Sequence, residues 1–111
     1  VLMIIGNNPC NEHDYGTCVS HGASLAVLKG ADLDTIEEMH QSLSNQLNFP
    51  SYYGGNLSAL ADELSSITHP VRVRLEIDSR HIGLDHVERF AAVCCREAVS
   101  NKYLTIAIEH W

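Results

Sequence analysis

The chain has 111 residues, a length that predicts a single domain with a core of its own. Hydrophobic residues make up 45% of it, which excludes a disordered chain. Seven basic against fourteen acidic side chains give a net charge of −7, which excludes generic binding of DNA or RNA through phosphates.

The excess negative charge is concentrated in one stretch of the chain. Residues 71–111 balance their basic and acidic side chains, whereas residues 31–70 contain no lysine or arginine. The acids of that stretch are Asp32, Asp34, Glu37, Glu38, Asp62 and Glu63. A one-sided field of this kind favours a cationic partner.

Residues 1–24 form a predicted N-terminal extension ahead of a domain at residues 25–111. Val1–Ile5 is compatible with a short extra strand, and residues 6–24 are rich in turn-forming residues, which predicts a loop. Five apolar residues are too few for a signal peptide, and no stretch approaches the 18 needed to span a bilayer. We therefore expect a cytoplasmic protein that does not contact membranes.

The four cysteines do not form a recognisable metal site. Cys10 and Cys18 share the polar segment with His13 and His21, but their spacing matches no strong zinc pattern. Cys94 and its neighbour Cys95 fall on a predicted helix. We expect neither a bound metal nor a cofactor.

The first half of the domain predicts one strand and two helices. Leu25–Leu28 is a short apolar run typical of a buried strand, and Thr35 begins a capping box that starts a helix to about Leu47. After the turn at residues 50–56, Asn56 is a good N-cap for the next helix. Its apolar residues, spaced for one face, are Leu57, Leu60, Ala61, Leu64 and Ile67; Ser58, Asp62 and Ser65 fall on the opposite face.

The second half predicts a strand, a helix and a strand. Residues 71–77 alternate between apolar and polar, Asp85 begins a capping-box-like helix start that leads to about Ser100, and Leu104–Ile108 is the last strand. Strands separated by helices predict an α/β fold with a small parallel sheet. Arg72 and Arg74 imply that one face or an edge of the middle strand meets solvent.

The sequence carries no motif that indicates an enzyme. It lacks a phosphate-binding glycine loop, a nucleophile elbow and a HExxH motif. Asp62 with Glu63, or with Glu97, is the candidate acid–base pair, and His69 is the candidate base. Asp62 and Glu63 are neighbours on a helix, however, so their side chains diverge by about 100°. We therefore expect no catalysis.

The segment Pro50-Ser51-Tyr52-Tyr53-Gly54-Gly55-Asn56-Leu57-Ser58-Ala59-Leu60-Ala61-Asp62 resembles the signature of the barstar family, small intracellular bacterial inhibitors of ribonucleases. Met39–Leu43 is similar to the family's first helix, and Arg96–Ala98 to its last. The resemblance covers about residues 25–108. It implies a three-stranded parallel sheet flanked by helices, in agreement with the order of elements above.

The resemblance also implies a partner-binding site. In the family, the loop before the second helix and the exposed face of that helix plug the ribonuclease active site. The position of the main helix aspartate is Asp62, that of the stacking tyrosine is Tyr52, and that of the flanking acid on the last helix is Glu97. The full set of candidate binding residues is Tyr52, Gly54, Asn56, Ser58, Ala61, Asp62, Glu63, Ser65 and Glu97.

Two positions depart from the family pattern. Ser58 stands where the family has an aspartate and Ala61 where it has a tryptophan, which removes charge and contact area from the implied interface. Glu63, at a position that is not usually acidic in the family, compensates for part of the lost charge.

The functional hypothesis is an inhibitor with an immunity or antitoxin role, which occludes the cationic active site of a ribonuclease or related toxin in a 1:1 complex. The alternative is a barstar-like binding module for a non-ribonuclease toxin or other protein, without nuclease inhibition. Simpler interpretations stay open for single residues: Asp62 as a solvated helix residue, Tyr53 as a packed core residue, and Gly54 and Asn56 as turn and cap. For Glu97, the simpler interpretation is an ion pair with Arg96 or Lys102.

Overall fold

The computed structural model describes residues 2–6 and 24–110. Its strands are β1 (Leu2–Gly6), β2 (Ser24–Lys29), β3 (Val71–Ile77) and β4 (Leu104–His110). Its helices are α1 (Ile36–Leu47), α2 (Leu57–Ser65) and α3 (Asp85–Ser100), with a 3-10 turn at Gly30–Leu33. The candidate metal ligands between residues 10 and 21 lie outside the described residues.

The strands form one four-stranded mixed sheet in the order β1-β4-β3-β2. β2, β3 and β4 are parallel, as expected for strands joined through helices. The expectation of a three-stranded, wholly parallel sheet is nevertheless wrong, because β1 pairs antiparallel with β4 from Leu2 opposite Glu109 to Gly6 opposite Thr105. The residues taken as an extension thus contribute a strand to the sheet. The division into residues 1–24 and 25–111 stays a prediction.

The core lies between the helices and one face of the sheet. In register, Ala26 on β2 pairs with Val73 on β3, which pairs with Ile106 on β4, and all three are fully buried. The helices contribute apolar side chains to the same cluster: Met39, Leu43, Leu60, Leu64, Val87, Phe90, Cys94 and Ala98. These residues recur at helical spacing, which explains why each helix packs one face on the sheet.

The polar residues of β3 do not mark an edge strand. β3 lies between β2 and β4, so it is not an edge strand. The expectation that the face with Arg72 and Arg74 meets solvent is wrong at Arg72, which is only 2% exposed, whereas the Arg74 side chain is 14% exposed. Arg74, on the same face, forms ion pairs with Glu76 on its own strand and with Glu109 on β4. Charged residues of opposite sign on neighbouring strands let a central strand carry arginines.

The helix starts are built in different ways. The Thr35 hydroxyl accepts a hydrogen bond from the Glu38 backbone N–H at 3.1 Å, so α1 begins where its cap predicts. α3 begins after Leu84, whose side chain makes no capping bond. Asp85 is therefore the first helical residue rather than the cap.

Among the described residues, no helix is long and apolar enough to cross a bilayer.

Candidate partner-binding face

The loop between α1 and α2 presents two adjacent tyrosines in opposite directions. Tyr52 is 82% exposed, whereas Tyr53 is half-buried and packs edge-on against Phe49, with ring centroids 4.9 Å apart. A turn closed by the Tyr53 N–H donating to the Pro50 carbonyl (2.9 Å) holds the pair. Tyr53 is therefore a packing residue, as its simpler interpretation held, and Tyr52 is the tyrosine available to a partner.

Tyr53 is held in place by a hydrogen bond with His40 on α1. The Tyr53 hydroxyl lies 2.5 Å from His40 Nδ1, and the His40 ring packs edge-on against Phe90 of α3. Burial lowers the pKa of His40, although Glu37 opposes this, and burial raises the pKa of Tyr53. Both rings are therefore neutral at pH 7, and the hydrogen bond joins the loop to the core.

The N-terminus of α2 is fixed by Asn56. Its side-chain oxygen accepts a hydrogen bond from the Ala59 N–H at 2.8 Å, and Gly55 before it has φ +65°. A positive φ of this kind favours glycine. Gly54 and Asn56 are both exposed, but the oxygen of the Asn56 side chain is already engaged as the helix cap.

One face of α2 presents three candidate binding residues to solvent. Ser58, Asp62 and Ser65 are exposed, while Leu60 and Leu64 are buried on the opposite side. The spacing of four and then three residues places the exposed side chains on one face of the helix.

The Asp62 carboxylate forms no hydrogen bond or ion pair with any residue in 2–6 and 24–110. Its backbone carbonyl, by contrast, accepts hydrogen bonds from the hydroxyls of Ser65 (2.8 Å) and Ser66 (2.9 Å). The Ser65 hydroxyl is thus used to close the end of the helix. The carboxylate of Asp62 remains free to bind a cation, because no described side chain neutralises it.

The structure brings Glu97 of α3 next to the end of α2. Both Ser65 and Glu97 line a groove of about 390 Å³ between the two helices. Asn101, which follows α3, donates hydrogen bonds to the carbonyls of Leu64 (2.9 Å) and Ile67 (3.0 Å) and so holds the helices together. Glu97 also lies 3.5 Å from Arg96, an ion pair that its simpler interpretation anticipated.

Two candidate residues are placed differently from the rest. Ala61 is half-buried and packs against the core, and Glu63 lines a separate groove with Phe49 and His69. Both are only partly exposed, unlike Ser58, Asp62 and Ser65.

His40 and Asn101 support this face and were not singled out from the sequence. His40 lies four residues after Ile36 and three before Leu43, so its place on the apolar face of α1 was visible in the helical spacing. Asn101 carried no such signal, because its hydrogen-bond acceptors lie more than 30 residues earlier in the chain.

Among the described residues, no group of three His, Cys, Asp or Glu side chains is arranged to hold a metal ion.

Comparisons with known proteins bear on the family of the chain. A curated relative, "Putative ribonuclease inhibitor YrdF" of Bacillus subtilis (strain 168), is 46% identical over 39 residues, or 35% of this chain. The match spans 43% of that relative, less than half of its length. Residues 23–100 match the family model described as Barstar (barnase inhibitor). The chain belongs to the barstar family.

Proposed function

We propose that this protein binds a ribonuclease and blocks its cationic active site, acting as an inhibitor without catalysis of its own. The observation that carries the proposal is the Asp62 carboxylate on the exposed face of α2, which has no partner among the described residues, with exposed Tyr52 in the loop before it. A ribonuclease site is lined with cationic groups that hold phosphate. A carboxylate on a rigid helix forms charge-assisted hydrogen bonds to such groups without being cleaved.

The distribution of charge supports the same role. Residues 31–70 hold six acids and no lysine or arginine, and they include both α2 and the loop before it. A negative field around one carboxylate accelerates the encounter with a cationic protein. We propose a 1:1 complex, an immunity or antitoxin role, and a location in the cytoplasm of a bacterium.

The test is inhibition of RNA cleavage by barnase and by the product of any toxin-like gene beside the native gene. Wild type and Asp62→Asn are compared, with Glu88→Gln on α3 as the matched control because it removes the same charge from an exposed position elsewhere. We expect Asp62→Asn to weaken inhibition at least tenfold and Glu88→Gln to leave it unchanged. Equal inhibition constants for the two variants would remove Asp62 from the proposed role.

The second candidate function is binding of a toxin or other protein that is not a ribonuclease. Ser58 and Ala61 favour it, since they stand where the family has an aspartate and a tryptophan and so alter the surface that a ribonuclease would meet. Capture of a neighbouring gene's product that cleaves no RNA would support this function over the first.

A further inference from the structure

A polar groove lies beside the loop that carries Tyr52. It has a volume of about 600 Å³ and runs between one face of α1 and the loop at residues 49–55. From α1 it is lined by Glu37, Gln41, Ser44 and Asn45, and from the loop by Tyr53 and Gly54, among others. Because Gly54 belongs to the loop that carries Tyr52, the groove borders the proposed binding face directly.

Glu37 is the only charged side chain that lines this groove within the described part of the chain. Its carboxylate forms no hydrogen bond or ion pair there. Its negative charge is close enough to His40 to raise the pKa of that residue, against the larger lowering by burial. The groove therefore offers an unneutralised negative charge against a wall of neutral polar groups.

The other walls suit a guanidinium group. Gln41 donates its amide N–H to Asn45 at 2.9 Å, which leaves the Gln41 amide oxygen as an acceptor beside Glu37. Phe49 and Tyr53 give the groove an aromatic side, and arginine stacks on aromatic rings while its planar group donates several hydrogen bonds at once.

We propose that this groove receives an arginine side chain of the partner, with Glu37 as its counter-ion. The proposal rests on the function proposed above, because it extends the same binding face beyond Tyr52. Asp62 and Glu37 then contact two separate cations of the partner.

The position of Glu37 in the first turn of α1 has a simpler explanation, since acids are favoured at a helix N-terminus. That explanation applies equally to Glu38, which is also exposed and unpaired among the described residues but does not line this groove. Glu38→Gln is therefore the matched control for Glu37→Gln: the two variants remove the same charge from neighbouring positions.

The test uses the full chain and a probe that requires no knowledge of the partner. Amide chemical shifts are followed by NMR as L-argininamide is added. L-citrullinamide, which has the same α-amino group and a side chain of similar shape without the guanidinium charge, is the control probe. We expect saturable shifts at Glu37, Gln41 and Gly54 with the guanidinium probe only. Glu37→Gln should weaken binding about two- to fivefold, the effect of one partly exposed ion pair, and Glu38→Gln should not.

Equal affinities of Glu37→Gln and Glu38→Gln, or equal shifts with both probes, would overturn the proposal. Shifts confined to α2 would overturn it as well, while leaving the role of Asp62 intact. Saturable binding in the groove by a chain that inhibits no ribonuclease would instead refute the proposed function and retain the arginine site. The two failures are therefore distinguishable.

Discussion

His40 Nδ1 on α1 lies 2.5 Å from the hydroxyl of Tyr53, which joins the loop at residues 49–55 to the core. His40 is only 3% exposed, so its ring is largely shielded from water. Tyr52, the residue before Tyr53, is 82% exposed. The hydrogen bond thus ties Tyr53 to the core directly beside an exposed candidate contact.

Removing the Tyr53 hydroxyl should destabilise the protein. Tyr53→Phe leaves the buried Nδ1 of His40 without a partner, and an unsatisfied buried polar atom costs about 1–3 kcal/mol. Urea unfolding measures the change. Tyr52→Phe, which alters an exposed hydroxyl, is the control and should remain within about 0.5 kcal/mol of wild type. Equal stability of the two variants would show that the His40–Tyr53 bond contributes nothing.

The pH dependence of stability should carry the signature of His40. Burial lowers the pKa of His40 in the folded protein from 6.5, so the unfolded chain binds the proton more tightly. His40 therefore contributes stability that is complete above pH 6.5 and is lost as the pH falls through the folded pKa. Unfolding free energies measured from pH 7.5 to 5 should fall less steeply for His40→Gln than for wild type. Parallel curves would contradict this assignment.

His81 should show the opposite dependence. Its Nε2 lies 2.6 Å from Asp34 and its Nδ1 lies 2.6 Å from Asp78, and these two acids, Asp34 above all, raise the pKa of His81 although burial opposes them. The stability that this contact contributes is present below pH 6.5 and is lost as the pH rises through the folded pKa.

The measurement is the difference in unfolding free energy between wild type and His81→Gln. It should be larger at pH 5.5 than at pH 8.5. Asp34→Asn should show a weaker pH dependence than wild type, since it removes the main cause of the raised pKa. A difference that does not change with pH would show that His81 has the same pKa in the folded and unfolded chain.

Asn101, although distant from α2 in the sequence, should stabilise this helix through direct hydrogen bonds. Its side chain donates to the carbonyls of Leu64 and Ile67 and accepts from the Tyr103 N–H, so Asn101→Ala removes three hydrogen bonds. At about 1 kcal/mol for each bond, we expect a loss of about 2–3 kcal/mol in unfolding free energy. Amide hydrogen exchange at Ser65 and Ser66 should become faster. Unchanged exchange at the end of α2 would indicate that this helix holds its last turn alone.

Gly6 offers a test of the pairing of β1 with β4. It has φ +133°, and a Cβ at this position would lie 2.5 Å from the Leu104 carbonyl oxygen. Gly6→Ala should therefore push β1 away from β4 and cost about 1–3 kcal/mol through backbone strain. Hydrogen exchange should accelerate at Leu2–Gly6 and remain unchanged between β2 and β3. Protection of β1 equal to that of wild type would contradict its pairing in the sheet.

Local patterns in the sequence were sufficient to locate the elements of the domain. The cap at Thr35 and the spacing from Ile36 to Leu47 predicted α1, the cap at Asn56 predicted the start of α2, and the alternation of residues 71–77 predicted β3. These signals are local, because a cap acts over three residues and an amphipathic face repeats within two turns. For the same reason, the exposed face with Ser58, Asp62 and Ser65 was predictable.

Contacts between distant segments were not predictable in this way. A five-residue apolar strand has no sequence signal for the partner it pairs with, so the antiparallel addition of β1 to β4 was missed. The polar alternation of β3 suggested that the strand is exposed to solvent. β3 is instead a central strand of the sheet, and Arg74 forms ion pairs with acids on its own and a neighbouring strand.

The order of helices and strands from residue 25 onward, the family, the candidate carboxylate of Asp62 and the different roles of Tyr52 and Tyr53 all followed from the sequence. The mixed sheet and the groove that Glu97 shares with Ser65 became visible in the folded chain. Only there does Glu37 border the Tyr52 loop. The physical reason is that caps and periodicity act between near neighbours, whereas burial and the pairing of charges depend on which segments meet when the chain packs around its core.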